Sequence, residues 1–95
     1  ATLKAERVQA QADRQALLTQ RRTLTKEAEQ LEKKLAGWGS EKILLDGRLA
    51  DPALYQDAAQ LQALLKHQAE LSCMVEQAEE RWLEIHEALE AFPVS

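Results

Sequence analysis

Hydrophobic residues recur every seven positions along the first half of the chain, and a second series follows four residues after each of them. The first series is Leu3, Ala10, Leu17, Leu24, Leu31, Trp38 and Leu45, and the second is Arg7, Arg14, Arg21, Ala28, Leu35, Lys42 and Leu49. This alternating spacing of four and three is typical of a coiled-coil seam. The pattern therefore predicts a long first helix from about residue 5 to residue 49.

The second half of the chain carries a similar pair of stripes. They consist of Leu54, Leu61, Gln68, Val75, Trp82 and Leu89 and, three residues further on, Asp57, Leu64, Leu71, Ala78, Ile85 and Phe92. From Leu61 to Phe92 every residue of these two stripes except Gln68 is apolar. The pattern predicts a second helix from about residue 57 to residue 92, with residues 93–95 as a tail because Pro93 cannot continue a helix.

Pro52 stands between the two patterns, where its ring and its missing amide hydrogen prevent one continuous helix. Asp51 is placed to cap a helical turn that begins at Pro52, and Asp57 with Gln60 forms a second capping signal. A turn at 50–56 lets the two apolar stripes cover each other. The predicted fold is all-α, a two-helix antiparallel coiled-coil hairpin.

Gly37 and Gly39 are the main conflict with a regular first helix, because glycine in a helix interior costs about 1 kcal/mol relative to alanine. The seven-residue pattern nevertheless stays in phase across them. We therefore expect a bend or local fraying at 37–40, and the alternative is a short separate helix at 41–49.

In the hairpin alignment that pairs the most apolar residues, the numbers of two residues that lie opposite each other add up to about 106. It sets Leu45 against Leu61 and Leu31 against Val75. A tighter turn would give a total near 103, and the sequence leaves both open. In either case residues 1–13 extend past the second helix and are expected to be a frayed start, so that 14–92 form the hairpin. The isolated domain is expected to be a monomer.

The chemistry-bearing side chains do not suggest an active site. His67, Cys73 and His86 are the only soft metal ligands, and their spacing matches no metal motif. The glycines match no phosphate-binding loop, and two helices alone form no pocket. We therefore predict no catalytic residue, no metal site and no cofactor in this domain. One cysteine and the lack of an apolar run of about 20 residues favour a cytoplasmic protein without a membrane partner.

Charge is divided between the two halves of the chain. The net charge is −4, but residues 1–49 contain ten Lys/Arg and seven Asp/Glu, whereas the remainder contains two and nine. The candidate nucleic-acid-binding residues of helix 1 are Arg14, Arg21, Arg22, Lys26, Lys33 and Lys34. Such a basic stripe suits phosphate backbones, although a solvated helix face explains the same residues. Trp38, between two glycines, is a possible partner contact or a packing residue.

Three segments together resemble the C-terminal coiled-coil domain of ABC-F ATPases, in members of the Uup and YheS type. The turn Leu49-Ala50-Asp51-Pro52-Ala53-Leu54-Tyr55 is similar to that family's L-x-D-P-x-L-Y turn. The stretch 26–35 is similar to its first helix, and Arg81-Trp82-Leu83-Glu84 with Glu87-Ala88-Leu89-Glu90 resembles its second. The resemblance covers roughly residues 14–92.

The resemblance implies a non-catalytic accessory domain of an ABC-F ATP-binding protein that acts on the ribosome in translation. ATP and Mg²⁺ would be held by two cassettes outside this chain. The implied partners are ribosomal RNA or DNA and the parent's ATP-binding cassettes. The basic residues predict that helix 1 would make the nucleic-acid contact and that it would be non-specific. The alternative is a protein–protein or intramolecular coiled-coil module with no nucleic-acid contact.

Overall fold

The computed structural model describes residues 2–92 and consists of two long helices joined by a short 3-10 helix. Helix α1 spans Thr2–Leu49, the 3-10 helix spans Pro52–Gln56, and helix α2 spans Ala58–Ala91. The two long helices pack side by side in a rod of 81 × 18 × 15 Å. The predicted all-α, two-helix antiparallel hairpin is confirmed.

The reversal of the chain is held by two aspartate caps. The side chain of Asp51 accepts a hydrogen bond from the amide of Ala53 at 3.0 Å, with Pro52 at the start of the 3-10 helix. The side chain of Asp57 accepts from the amide of Gln60 at 3.1 Å and starts α2. Both capping predictions are confirmed, and they satisfy amide groups that a helix start leaves without a backbone partner.

The core is a thin seam between the helices, and its buried residues all belong to the predicted stripes. The buried hydrophobic residues are Ala28, Leu45, Leu54, Leu64, Leu71, Ala78 and Ile85. Leu71 and Ile85 are the most completely buried of the large side chains, at 2% and 0% exposure. Because each helix has one neighbour, the seam supplies most of the apolar burial that stabilises the hairpin.

Two of the three side-chain pairs that join α1 to α2 agree on how the helices are aligned. Glu41 bonds to His67 near the turn, and Glu27 bonds to Arg81 nearer the open end. The residue numbers total 108 in each pair, which is close to the total of 106 and farther from 103. At this alignment the last residue of α2, Ala91, lies level with about residue 17 of α1.

Two features of α1 differ from the sequence-based expectations. The helix begins at Thr2, so residues 2–13 are helical and do not form a frayed start. Ala, Gln, Lys and Arg, which dominate this segment, all have high helix propensity. The helix also continues through residues 37–40 with no break and no separate helix at 41–49. The hydroxyl of Ser40 donates to the carbonyl of Ala36 there, and Trp38 packs on the core.

The predicted tail at 93–95 lies outside the described residues.

Candidate nucleic-acid interface

Three of the six candidate residues lie on the side of α1 that faces away from α2. Arg22, Lys26 and Lys33 follow one another at spacings of four and seven, which places them on one side of a helix. Buried Ala28 marks the opposite side, toward α2. All three basic side chains are exposed. They form a continuous outward row over about three turns.

The other three candidate residues are placed differently. Arg14 and Arg21 continue the line of the seam toward the open end of the hairpin, and Arg14 lies beyond the level at which α2 ends. Lys34 lies on the flank of α1, beside the shallow groove between the helices that Trp38 and Arg81 also line. All three are exposed. The six residues therefore surround the middle of α1, between residues 14 and 34, and only three share its outward face.

Two of the acidic residues within this basic segment are engaged by α2. Arg81 donates from Nε to Glu27 Oε1 at 2.7 Å and from Nη2 to Glu27 Oε2 at 2.9 Å. Trp82 donates from Nε1 to Glu32 Oε1 at 3.0 Å. Glu29 remains exposed on the outward side, between Lys26 and Lys33. The cross-helix bonds thus draw negative charge toward the inner edge and leave a more basic outer surface.

The sequence did not identify Arg81 as a residue that organises this surface. Its guanidinium also donates from Nη1 to Glu84 at 3.2 Å, so it bridges the two helices and its own next turn. Only two basic residues occur after residue 49, and Arg81 is one of them. An isolated arginine in an acidic helix was therefore the signal that could have identified a cross-helix pair.

The Glu27–Arg81 pair makes part of the hairpin's stability dependent on pH. The hydrogen bonds from Arg81, helped by its charge, lower the pKa of Glu27 below its usual 4.5, and partial desolvation opposes them. A lowered pKa in the folded state contributes stability at pH values above 4.5. That contribution is lost as the pH falls through the folded-state pKa.

We expect Glu27→Gln to lower the thermal midpoint at pH 7 and to have a progressively smaller effect at pH values below 4.5. Circular dichroism melts between about pH 7 and pH 2 measure the difference between variant and wild type. Glu29→Gln is the matched control, since Glu29 lies on the exposed outward side of the same helix. A difference for Glu27→Gln that stayed constant over this range would contradict the role of the ionised carboxylate.

Trp38, the possible partner contact, is half-buried. It packs against the cluster formed by Leu45, Leu54, Leu64 and Leu71. Most of its indole surface therefore serves the seam, which favours the packing interpretation. The remaining exposed edge lies in the shallow groove beside Lys34.

A metal-holding cluster and a membrane-spanning helix are both absent from residues 2–92. No group of three His, Cys, Asp or Glu side chains there is arranged to hold a metal ion. Neither described helix is long and apolar enough to span a membrane. The acidic side chains of α2, which are Glu70, Glu76, Glu79, Glu80, Glu84, Glu87 and Glu90, are all exposed. A polyanion would therefore approach α1 and avoid α2.

Comparison with known protein families decides what kind of domain this is. The model of the ABC transporter C-terminal domain matches residues 19–87, which is most of the chain. The chain belongs to the ABC transporter C-terminal domain family. It is an accessory domain of an ABC protein and does not correspond to a catalytic cassette. The match includes the turn and most of both helices but not residues 2–18 of α1. No curated protein and no solved structure gives a significant match.

Proposed function

We propose that this domain is a non-catalytic arm of a cytoplasmic ABC-F ATPase and contacts the phosphate backbone of ribosomal RNA or DNA through α1. ATP hydrolysis, with ATP and Mg²⁺, belongs to cassettes outside this chain. The observation that carries the proposal is the set of six exposed basic side chains around residues 14–34 of α1. Within residues 2–92 none of the six forms an ion pair.

The chemistry of this surface favours backbone contacts and not base recognition. Lys and Arg side chains neutralise phosphates and release the counterions bound to them. Sequence-tolerant stacking on bases requires exposed aromatic rings among the basic residues. Residues 14–34 contain no aromatic residue. The proposed binding is therefore non-specific and strongly dependent on salt concentration.

The test is to measure binding of the 95-residue chain to duplex DNA and to structured RNA across a salt series. We expect Arg21→Gln, Arg22→Gln, Lys26→Gln and Lys33→Gln in one variant to weaken binding at every sequence tested. The slope of log K against log salt should decrease in magnitude by about 3–4, because each lost phosphate contact contributes about 0.9 for DNA.

A matched control separates the local surface from net charge. Lys4→Gln, Lys42→Gln, Arg48→Gln and Lys66→Gln together remove the same amount of charge from exposed positions elsewhere. The control should bind almost as wild type does. Equal losses in the two variants would show attraction to net charge alone, and an unchanged affinity in the first variant would remove the proposal.

The second candidate function is a protein–protein or intramolecular coiled-coil module, with the parent's cassettes as one possible partner. The exposed edge of Trp38 in the inter-helix groove favours it, because aromatic side chains often anchor protein interfaces. Trp38→Phe keeps an aromatic ring for the seam but removes the indole edge. If this variant retains its full affinity for the cassettes, the second candidate loses its support.

A further inference from the structure

The basic segment of α1 also contains three carboxylates, and two of them have no basic neighbour on their own helix. Side chains three or four positions apart on a helix lie close enough to pair, whereas adjacent ones do not face each other. The positions at that spacing from Glu27 hold Thr, Leu, Gln and Leu, and those from Glu32 hold Ala, Glu, Leu and Ala. Glu29, by contrast, has Lys26 three positions before it and Lys33 four positions after it. A close partner for Glu27 or Glu32 therefore has to come from outside α1.

Arg81 of α2 is the residue that neutralises Glu27. Its guanidinium donates to both carboxylate oxygens, from Nε at 2.7 Å and from Nη2 at 2.9 Å. Such a two-point pair is stronger and more fixed in geometry than a single hydrogen bond. The side chains of Arg81 and Glu27 are still 45% and 37% exposed. Because the pair lies at the surface, a polyanion that approaches α1 meets a neutral pair where it would otherwise meet a carboxylate.

Arg81 is the basic residue of α2 that lies near this surface. The other one, Lys66, is 15 positions earlier on the same helix, which is about 22 Å along its axis. That distance exceeds two Debye lengths at physiological salt, where one is about 8 Å. Trp82, which binds Glu32, is a neutral donor and cancels no charge. The local charge that a polyanion meets therefore depends on Arg81 and not on the total charge of α2.

We propose that Arg81, although it lies on the acidic helix, is a positioning residue for nucleic-acid binding by α1, because it holds Glu27 at the inner edge and cancels its charge. This role rests on the proposed function, whose interface it completes. Arg81 does not have to touch a phosphate itself, since two of its nitrogens are bound to Glu27 and the third donates to Glu84 at 3.2 Å. The hairpin, and not α1 alone, is then the unit that binds.

Arg81→Gln should weaken binding of the 95-residue chain to a short DNA duplex about threefold at physiological salt. The substitution leaves Glu27 as an uncompensated carboxylate beside Lys26, and one unit charge near a phosphate contact changes the affinity by a factor of this size in water. Lys66→Gln is the matched control, because it removes the same charge from an exposed position of the same helix. Its affinity should stay close to that of the wild type.

Glu27→Gln breaks the same ion pair but should have the opposite effect on binding. Both variants lose the Glu27–Arg81 bonds, so their thermal midpoints at pH 7 should fall by similar amounts. Glu27→Gln also removes the carboxylate that Arg81 has to cancel, so it should bind DNA at least as tightly as the wild type. A merely structural role for Arg81 predicts instead that both variants bind less tightly. Circular dichroism at the temperature of the binding measurement confirms that each variant is folded.

A double variant and a conservative variant complete the test. Arg81→Gln combined with Glu27→Gln has the wild-type net charge and should regain the wild-type affinity. Arg81→Lys keeps the positive charge without the two-point geometry and should bind more tightly than Arg81→Gln. Equal affinities of Arg81→Gln and Lys66→Gln would overturn this inference alone, and so would a double variant as weak as Arg81→Gln. A wild-type chain that binds no DNA or RNA would overturn the proposed function together with it.

Discussion

Ile85→Ala is expected to destabilise the hairpin by about 2–5 kcal/mol, the largest effect of any single substitution considered. Ile85 is 0% exposed, and its side chain lies in a seam that has protein on only one side of each helix. Truncation removes apolar contacts and leaves a void that two rigid helices cannot close fully. Because a small domain is only marginally stable, this loss should unfold a large part of the population at 25 °C. Urea titration followed by circular dichroism at 222 nm measures it.

The control for this prediction is Leu83→Ala, two positions away on the same helix. Leu83 is 54% exposed, so its truncation loses little burial, and alanine has the higher helix propensity. The urea midpoint should change little in this variant. Similar destabilisation by Leu83→Ala and Ile85→Ala would mean that the seam does not determine the stability of the hairpin.

Gly37→Ala and Gly39→Ala together are expected to stabilise the hairpin by about 2 kcal/mol, near 1 kcal/mol each. Both glycines lie within a continuous α-helix with ordinary φ values, and open space surrounds the position of each added Cβ. Alanine lowers the conformational entropy of the unfolded chain without straining the folded one. Thermal and urea unfolding at low micromolar protein concentration measure the gain for the monomer.

Ala36→Gly serves as the reverse substitution for this pair. Ala36 is exposed in the same turn of α1, and its replacement should cost about 1 kcal/mol. If the double alanine variant were less stable than wild type, the glycines would have a packing role inside the hairpin.

The fold was predictable because burial in a two-helix hairpin follows from periodicity alone. Every buried residue, from Ala28 on α1 to Ile85 on α2, occupies a position that the seven-residue pattern identifies. The Asp-Pro turn was predictable for a different reason, since Pro52 excludes a continuous helix and Asp51 and Asp57 are strong caps. The seven-residue phase predicted that α1 continues past Gly37 and Gly39, but a bend or local fraying was expected there because propensity scales weigh local cost and omit the packing of Trp38 across the seam.

The candidate interface was less predictable than the fold. A list of basic residues on one helix does not reveal that Lys34 lies on the flank or that Arg14 extends beyond α2. It also does not reveal that Glu27 turns toward Arg81, because that pairing depends on the alignment of two helices. Local sequence identifies which residues share a helix face. Only the tertiary alignment decides which neighbouring charges remain available to a partner.

The unbroken course of α1 from one end of the rod to the other has a mechanical consequence. Bending a continuous helix strains many backbone hydrogen bonds at once, so the 81 Å rod transmits torque as a stiff lever. A small rotation at the open end of the hairpin becomes a displacement of several ångströms at the Asp-Pro turn. An ABC protein that reorients this domain by a few degrees would therefore move the Asp-Pro turn much farther than the residues near the open end.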